Sequence, residues 1–367
     1  MKHGWQRALA LSAAALVLAL VLVAGAAAAG PARAVADGLF NPRGIAATSW
    51  GALLVAEQGS GEVTLALPWL GVQQALATLP SSEGGGGPVD VAVGGLGLGF
   101  LGETYVVMGG SKGGAGGPPL ASLLRIDRFG DVKLVADIGA YQQTDPDPAD
   151  QDGFPEESNP NGLAILPGGR ILVADAANND LLLVEKGGSI STVARFPLET
   201  VPMPEGFPGP PDFPPAGTPL PAESVPTAVA VGPDGAWYVS ELKGFPFAPG
   251  TSKIWRIEPG TTGATCPSAS CTVFASGFTS VIDLAFGRDG TLYVLEIAKA
   301  GLLAAETGEP PVGALWAVRD GTRTELAPGE LLFPGGVAIG RWDGAAYVTT
   351  GAVFGPGAGK VVRVPAS

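Results

Sequence analysis

The stretch D-L-A-F-G-R-D-G-T-L-Y-V-L-E (residues 283–296) contains two short apolar strands joined by a Gly-Arg-Asp-Gly turn. An Asp-Gly pair between two apolar runs is a strong local signal for a β-hairpin. The second strand of this hairpin recurs at 52–57, 103–108, 170–175, 236–241 and 345–350. The central valines of the six copies are 52, 66, 66, 55 and 54 residues apart. Such a period, built from short strands, predicts an all-β fold, a six-bladed β-propeller.

Each copy can be divided into four antiparallel strands, the usual content of one propeller blade. The sixth copy differs, because the chain ends after three strands at 336–339, 346–349 and 360–364. The run R-A-V-A-D-G at 33–38 precedes the first copy and can form a strand that belongs to none of the six copies. We expect this N-terminal strand to pair with the last blade, because the pairing closes the ring and removes two exposed sheet edges.

Residues 1–34 have the features of an export signal. Lys2 and Arg7 give a positive start, residues 8–29 are almost wholly apolar, and Ala32-Arg33-Ala34 offers a cleavage site after Ala34. The apolar run is also long enough for an uncleaved N-terminal anchor helix, so this alternative stays open. Either alternative places residues 35–367 outside the cytoplasm, whether secreted, periplasmic or held at the cell surface, and restricts membrane contact to this helix.

Three segments interrupt the repeats and are interpreted as loop insertions, at 109–119, 140–158 and 197–226. The first is rich in glycine and the second in acidic residues. The third is rich in proline, and we expect it to be extended and without regular structure. None of the three has enough apolar residues for a core, so residues 35–367 are expected to form one domain.

Charge and residue usage exclude several function classes. The formal charge of −13 falls to −16 without residues 1–34, because that segment holds three basic residues and no acidic one. Nucleic acid is therefore a poor partner. The only histidine is His3, so the domain lacks a Ser-His-Asp triad, an imidazole base and His-ligated zinc. The only two cysteines, Cys266 and Cys271, are expected to form a disulfide in an oxidising compartment and to pin a turn between outer strands.

In a four-stranded blade, the loop before the first strand and the loop after the second strand lie on the same face. Polar residues of both loops are therefore expected to surround the mouth of the central channel, where a small molecule or a peptide would bind. The candidates are Asn41, Arg43, Glu57, Asp90, Asn159, Asn161, Asp175, Thr227, Glu241, Asp283 and Glu296. Clustered oxygens of this kind would also suit a bound Ca²⁺.

The acids that follow the second strands have a structural alternative. An acid in this position often accepts hydrogen bonds from backbone N–H groups of an adjacent turn. Glu57, Asp175, Glu241 and Glu296 therefore have two interpretations, as ligands at the channel mouth or as caps within the blade.

Several phrases resemble the ScyD/ScyE family. They are N-P-R-G-I-A (41–46), G-P-V-D-V-A (87–92), the run at 158–184 that begins S-N-P-N-G-L-A-I-L, P-T-A-V-A-V-G-P-D-G (226–235), and the opening stretch at 283–296. The resemblance covers about residues 36–365 and implies an exported six-bladed propeller with NHL-like repeats. The family's namesakes belong to the gene cluster for scytonemin, a sunscreen pigment of cyanobacteria. The resemblance implies no catalytic residues.

A second likeness is to gluconolactonase-type propellers, and it is partial. Their Asn-Gly-Leu phrase supplies a metal ligand and matches Asn161-Gly162-Leu163, and their Asp ligand corresponds to Asp283. The glutamate of their Glu-Gly-Pro phrase has no counterpart, because Gly86-Gly87-Pro88 stands in its place. This likeness implies Asn161 and Asp283 as candidate Ca²⁺ ligands.

Three functions follow from these observations. The first is an exported ligand-binding or scaffold propeller without catalysis of its own. The second is a calcium-dependent hydrolase or lactonase that uses Asn161 and Asp283. The third is an auxiliary protein of secondary-metabolite biosynthesis of the scytonemin kind, acting on an aromatic or indolic compound.

Overall fold

The computed structural model describes residues 32–81, 86–94, 102–110, 120–206, 213–306 and 311–365. The leader up to residue 31 and residues 111–119 of the first expected insertion lie outside these ranges. The described chain forms six antiparallel sheets arranged as a six-bladed β-propeller, as the repeat predicts. None of its helices is long and apolar enough to cross a membrane.

The strands of each blade are numbered from the channel outward, after an entry strand β1 (Arg33–Leu39). Blade 1 contains β2 (Pro42–Ala47), β3 (Leu53–Glu57), β4 (Glu62–Leu67) and β5 (Val72–Thr78). Blade 2 contains β6 (Gly87–Gly94), β7 (Glu103–Gly109), β8 (Ser122–Ile126) and β9 (Val132–Asp137). A short helix, α1 (Ile138–Gln142), follows, and blade 3 contains β10 (Pro160–Ile165), β11 (Ile171–Asp175), β12 (Asp180–Val184) and β13 (Ile190–Arg195).

A two-stranded hairpin, β14 (Glu199–Pro202) and β15 (Pro219–Ala222), separates blades 3 and 4. Blade 4 contains β16 (Pro226–Val231), β17 (Trp237–Glu241), β18 (Ser252–Ile257) and β20 (Cys271–Phe278), with the short β19 (Ala264–Thr265) before the last. Blade 5 contains β21 (Val281–Phe286), β22 (Leu292–Glu296), β23 (Ala314–Arg319) and β24 (Thr322–Leu326), with helix α2 (Leu302–Glu306) between its second and third strands. Blade 6 contains β25 (Gly336–Ile339), β26 (Ala346–Thr350) and β27 (Gly359–Val364).

The N-terminal strand closes the ring, and this prediction is confirmed. β1 pairs antiparallel with β27, from Arg33 opposite Arg363 to Leu39 opposite Gly359, and gives blade 6 its fourth strand. β1 begins at Arg33, so cleavage after Ala34 would remove the first two residues of the closing strand.

Burial decreases from the second strand to the outer strand of a blade. All residues of β3, β11, β17 and β22 are buried, because both faces of these strands pack against neighbouring blades. The apolar residues of the repeated phrase fill the cores between blades, including Val55, Val173 and Val294. The outer strand β5 is largely exposed. The L-Y-V phrase is therefore mainly a packing element.

The two faces of the ring differ. The turns between first and second strands and between third and fourth strands lie together on one face, here called the turn face. All other connections lie on the opposite face, here called the loop face. α1, α2, the β14–β15 hairpin and the acidic segment 140–158 are parts of these connections and so lie on the loop face. The expectation that 197–226 lacks regular structure is wrong, because β14 and β15 pair over four residues each.

Cys266 and Cys271 form a disulfide with a Cα–Cα distance of 5.3 Å. It closes the turn between β19 and β20. β19 pairs with β13, so the third sheet has a fifth strand contributed by the connection of blade 4. The disulfide therefore fixes a segment that joins the outer edges of two neighbouring blades.

Candidate functional site

The central channel is built by the first residues of the inner strands. The register is broken at the start of β2, β6, β10, β16 and β21, as in a β-bulge. A bulge of this kind turns a side chain out of the regular alternation. A small cavity on the axis is lined by residues at or beside the beginnings of the inner strands: Gly44, Val89, Asp90, Asn161, Thr227, Ile282, Asp283 and Gly335.

Four of the residues predicted for the channel mouth meet in this cavity, namely Asp90, Asn161, Thr227 and Asp283. The two carboxylates lie in equivalent positions of blades 2 and 5. Asp90 accepts hydrogen bonds from the backbone N–H of Val91 (2.8 Å) and, in blade 3, of Leu163 (3.0 Å). Asp283 accepts them from Leu284 (2.7 Å) and, in blade 6, from Val337 (2.6 Å). Each aspartate thus joins its own inner strand to that of the next blade.

The equivalent positions in other blades hold glycine or alanine. A Cβ built on Gly44 would lie 2.0 Å from Oδ1 of Asp90, and one on Gly162 would lie 2.5 Å from Cα of Ala228. A Cβ on Gly336 would lie 2.9 Å from Cα of Gly44. The inner strands therefore approach too closely for side chains, and the cavity measures only about 10 Å³. That volume holds about one water molecule, so no organic substrate fits on the axis.

Burial and mutual repulsion control the ionisation of the two axial aspartates. Burial raises the pKa of Asp283 to about 7. Burial, followed by the charge of Asp283, raises the pKa of Asp90 well above its usual range, although two backbone hydrogen bonds and Arg43 oppose the rise. Two carboxylates that face each other in a small cavity do not ionise independently.

The donor set does not fit Ca²⁺. Calcium takes six to eight oxygen ligands, whereas the cavity offers two carboxylates, one amide and one hydroxyl in the space of about one water. All four carboxylate oxygens already accept a backbone N–H. Among the residues that the structure describes, no group of three or more His, Cys, Asp or Glu side chains is placed to hold a metal ion.

Other predicted residues lie around the loop-face side of this cavity. Arg43 lies close enough to Asp90 to interact with its charge, its Nη1 is 3.4 Å from Oε1 of Gln58, and burial lowers its pKa. Asn159 Oδ1 accepts the backbone N–H of Gly110 at 3.0 Å. Asn41 has a positive φ of 47°, and its buried Oδ1 has no hydrogen-bond partner among the described residues.

The four acids that end the second strands are not among the residues that line the cavity, and each accepts a hydrogen bond within its own blade, as the structural alternative predicts. Glu57 accepts the backbone N–H of Phe40 at 2.7 Å, Asp175 that of Asn159 at 2.7 Å, and Glu296 that of Thr279 at 2.7 Å. Glu241 accepts Nε1–H of Trp255 at 3.0 Å. Their side chains hold the entry turn or third strand of the same blade, and burial raises the pKa of each.

Two charged features of the loop face were not predicted. Lys243 is fully buried and lies 2.7 Å from Oε2 of Glu199 and 3.2 Å from Oε1 of Glu241. Glu223 accepts the backbone N–H of Gln151 at 3.1 Å, which ties the acidic segment to the β14–β15 hairpin. Burial and then nearby aspartates raise the pKa of Glu223 to about 7. Neither residue lies in a repeated phrase, so the repeat gave no signal for them.

Partly exposed phenylalanines from several connections also lie on the loop face. Phe245 contacts Phe213 at a centroid distance of 5.6 Å and Phe247 at 6.2 Å, both edge to face. Phe333 and Phe354 form a similar pair at 5.8 Å. These aromatic pairs give the loop face an apolar component beside its charged residues.

Comparison with solved structures agrees with the β-propeller fold. No family model matches the chain, and no curated protein matches it. A glucose dehydrogenase structure is 15% identical, with a TM-score of 0.58, over 92% of this chain and 99% of that one. A PQQ-bound aldose sugar dehydrogenase from Streptomyces coelicolor is 16% identical (TM-score 0.53, 93% and 99% covered), and a streptogramin B lyase is 14% identical (TM-score 0.50, 91% and 96% covered). At these identities the chain shares the β-propeller fold of these enzymes.

Proposed function

We propose that this chain is an exported propeller of the ScyD/ScyE type that binds a small aromatic molecule, or a peptide with an aromatic side chain, on its loop face without transforming it. The observation that carries this proposal is the closed axis. Asp90, Asp283 and the close inner strands leave about 10 Å³ where an active-site pocket would be needed. A ligand at the channel mouth would therefore bind above the axis, among the loops.

The distribution of loops and aromatic residues also supports ligand binding on the loop face. The long connections between blades and their acidic and proline-rich segments lie there, as do the partly exposed pairs Phe213–Phe245 and Phe333–Phe354. Binding residues are found on loops held by a rigid scaffold more often than on the scaffold itself. Aromatic side chains at such a surface bind other aromatic rings edge to face or with an offset.

The first experiment is a thermal-shift titration of the protein with N-acetyl-tryptophanamide, N-acetyl-tyrosinamide and, as an aliphatic control, N-acetyl-leucinamide. We expect the aromatic probes to raise the melting temperature and the aliphatic probe to have less effect. Phe245→Ala should weaken the rise, whereas Phe129→Ala should not, because Phe129 is 76% exposed on the turn face. A rise of equal size in both variants, or no rise in the wild type, would overturn the proposal.

A second experiment tests the calcium-dependent enzyme directly. We expect Ca²⁺ to leave the melting temperature unchanged, because the axial carboxylate oxygens are already engaged by backbone N–H groups. A calcium-dependent rise that Asn161→Ala abolishes, together with hydrolysis of a sugar lactone by the wild type, would replace the binding proposal with the hydrolase.

A further inference from the structure

A groove of about 540 Å³ lies on the turn face between blades 5 and 6, on the side of the ring opposite to the proposed ligand face. Its volume lies within the range of about 300–1,000 Å³ that is common for small-molecule sites. It is lined by strand ends and turns of both blades, including Arg288, Asp289, Tyr293, Arg341 and Trp342. No sequence motif indicated it.

At the groove, blade 5 lacks an arginine that three other blades have. In blades 2, 4 and 6, a tyrosine of the second strand faces an arginine of the third strand, in the pairs Tyr105–Arg125, Tyr238–Arg256 and Tyr347–Arg363. In blade 5 the equivalent tyrosine, Tyr293, faces Ala317. Tyr293 and Ala317 both line the groove.

The hydroxyl of Tyr293 differs in its hydrogen bonding from the hydroxyls of the other three tyrosines. In the other three blades the tyrosine hydroxyl donates to an acid near the start of its strand, at 2.9 Å to Glu103, 3.2 Å to Asp234 and 3.0 Å to Asp343. In blade 5 the corresponding acid, Asp289, pairs instead with Arg319 at 2.7 Å. Within the described part of the chain Tyr293 has no hydrogen-bond partner, so the groove has a free hydroxyl at its floor.

Positive charge is concentrated at the rim of the groove. Arg288 and Arg341 are exposed, and neither has a hydrogen bond or ion pair with any residue that the structure describes. Arg319 is held between Asp289 and Asp320. Because Arg319 is paired, Arg288 and Arg341 are the two arginines of the groove that could pair with an anionic ligand.

Tryptophan side chains extend the same surface. Trp342 is 79% exposed at the groove, and Trp69 is 54% exposed beside it. A Cβ built on Gly51 would lie 3.6 Å from Cζ3 of Trp69 and 3.7 Å from Cδ1 of Trp342, so this glycine lies between the two indoles. Contiguous exposed apolar surface is a feature of ligand-binding grooves and interaction sites.

We propose that this groove binds an acidic oligosaccharide, with Trp342 stacked on a sugar ring and Arg288 and Arg341 paired with carboxylates. The mixture of groups in the groove selects this ligand over other anions. Asp289 and Asp320 would repel a continuous polyanion such as polyglutamate, but they accept hydrogen bonds from sugar hydroxyls. A flat membrane surface cannot enter a groove of this kind, whereas a single sugar ring is small enough for its volume of about 540 Å³.

The test is calorimetry with a short oligogalacturonate as the probe, and with maltotriose as a neutral probe of similar length. We expect oligogalacturonate to bind in a salt-sensitive manner, to change the tryptophan fluorescence, and to bind at least about tenfold more tightly than maltotriose. The double variant Arg288→Ala/Arg341→Ala and the variant Trp342→Ala should each weaken binding about tenfold or more. Tyr293→Phe, which removes only the hydroxyl, should give a smaller loss.

The controls lie on the same face in blade 2. Arg128→Ala and Phe129→Ala remove an exposed arginine and an exposed aromatic ring outside the groove, and both should bind oligogalacturonate like the wild type. All groove variants change exposed side chains except Tyr293→Phe, and unchanged melting temperatures will show that they fold. Absence of oligogalacturonate binding, equal loss in the controls, or equally tight binding of polyglutamate or of anionic lipid vesicles would each overturn the proposal.

Discussion

Asp90 and Asp283 face each other across the propeller axis from equivalent positions three blades apart, and each accepts a backbone N–H from the next blade. They therefore link blade 2 to blade 3 and blade 5 to blade 6. Their charges repel while their hydrogen bonds hold the ring together, so their ionisation state affects the stability of the fold.

This arrangement predicts that the protein is less stable at higher pH. Burial raises the pKa of Asp283 to about 7, whereas an unfolded aspartate has a pKa of about 3.9. The folded state thus holds its proton more tightly, and the free energy of unfolding falls as the pH rises through this window. We expect the melting temperature to fall between about pH 4 and pH 7, and to fall less in Asp283→Asn.

A matched control is Asp127→Asn. Asp127 also accepts two backbone N–H groups, from Phe129 and Asp131, but it is on the surface and those bonds lower its pKa. Its replacement should leave the slope between about pH 4 and pH 7 as in the wild type. Identical slopes for the wild type and Asp283→Asn, measured by calorimetry, would contradict the role given to the axial pair.

Ring closure by β1 predicts a large effect of a short truncation. A chain that begins at Asn41 loses the whole β1–β27 pairing and exposes the edge of β27, whereas a chain that begins at Ala32 keeps it. We expect the shorter chain to melt more than about 10 °C lower, or to aggregate, because several kcal/mol of packing are lost. Equal melting temperatures of the two chains would show that β1 does not close the ring.

Lys243 is expected to be essential for stability, because it is a buried cation between two carboxylates. Lys243→Met would leave the carboxylates of Glu199 and Glu241 without their buried partner, at a cost of about 3–5 kcal/mol. Lys253→Met is the control, since Lys253 also contacts Glu199 but is partly exposed and should contribute about 1 kcal/mol or less. Chemical denaturation measures both, and a similar loss in the two variants would contradict the buried-ion interpretation.

The disulfide should give a moderate stabilisation that its short loop limits. Cys266→Ala/Cys271→Ala removes the constraint on a loop with a sequence separation of 5, for which chain entropy predicts about 2 kcal/mol. The variant should lose about that much in denaturant unfolding, and a reducing agent should destabilise only the wild type. A variant as stable as the wild type would show that β19 and β20 hold the turn without the covalent link.

The repeated phrase made the fold predictable, since its apolar residues fill the cores between blades and its position is the buried second strand. The sequence also placed Asp90 and Asp283 at the channel. It did not show that the channel is closed, because closure depends on how closely the backbone at Gly44, Gly162 and Gly336 approaches the neighbouring inner strands. A glycine in a pattern indicates freedom of the backbone but not the distance to the next strand.

The sequence also did not predict the direction of several side chains. Glu57 and Asp175 end their strands at the expected face, yet their carboxylates turn into the blade because the entry turn offers unpaired N–H groups there. The hairpin at β14 and β15 was missed because its prolines suggested an extended coil. Proline is compatible with a two-stranded ribbon at positions where no ladder N–H is required, as at Pro202 opposite Pro219.

The closing strand also determines which face of the ring lies near the N-terminal end of the described chain. β1 runs with Leu39 at the loop face and Arg33 at the turn face, in the same blade whose first turn carries Trp342. Any attachment through residues before Ala32 would therefore hold the propeller by the turn face. The groove between blades 5 and 6 would then face the point of attachment, and the phenylalanine pairs of the loop face would be on the opposite side of the ring.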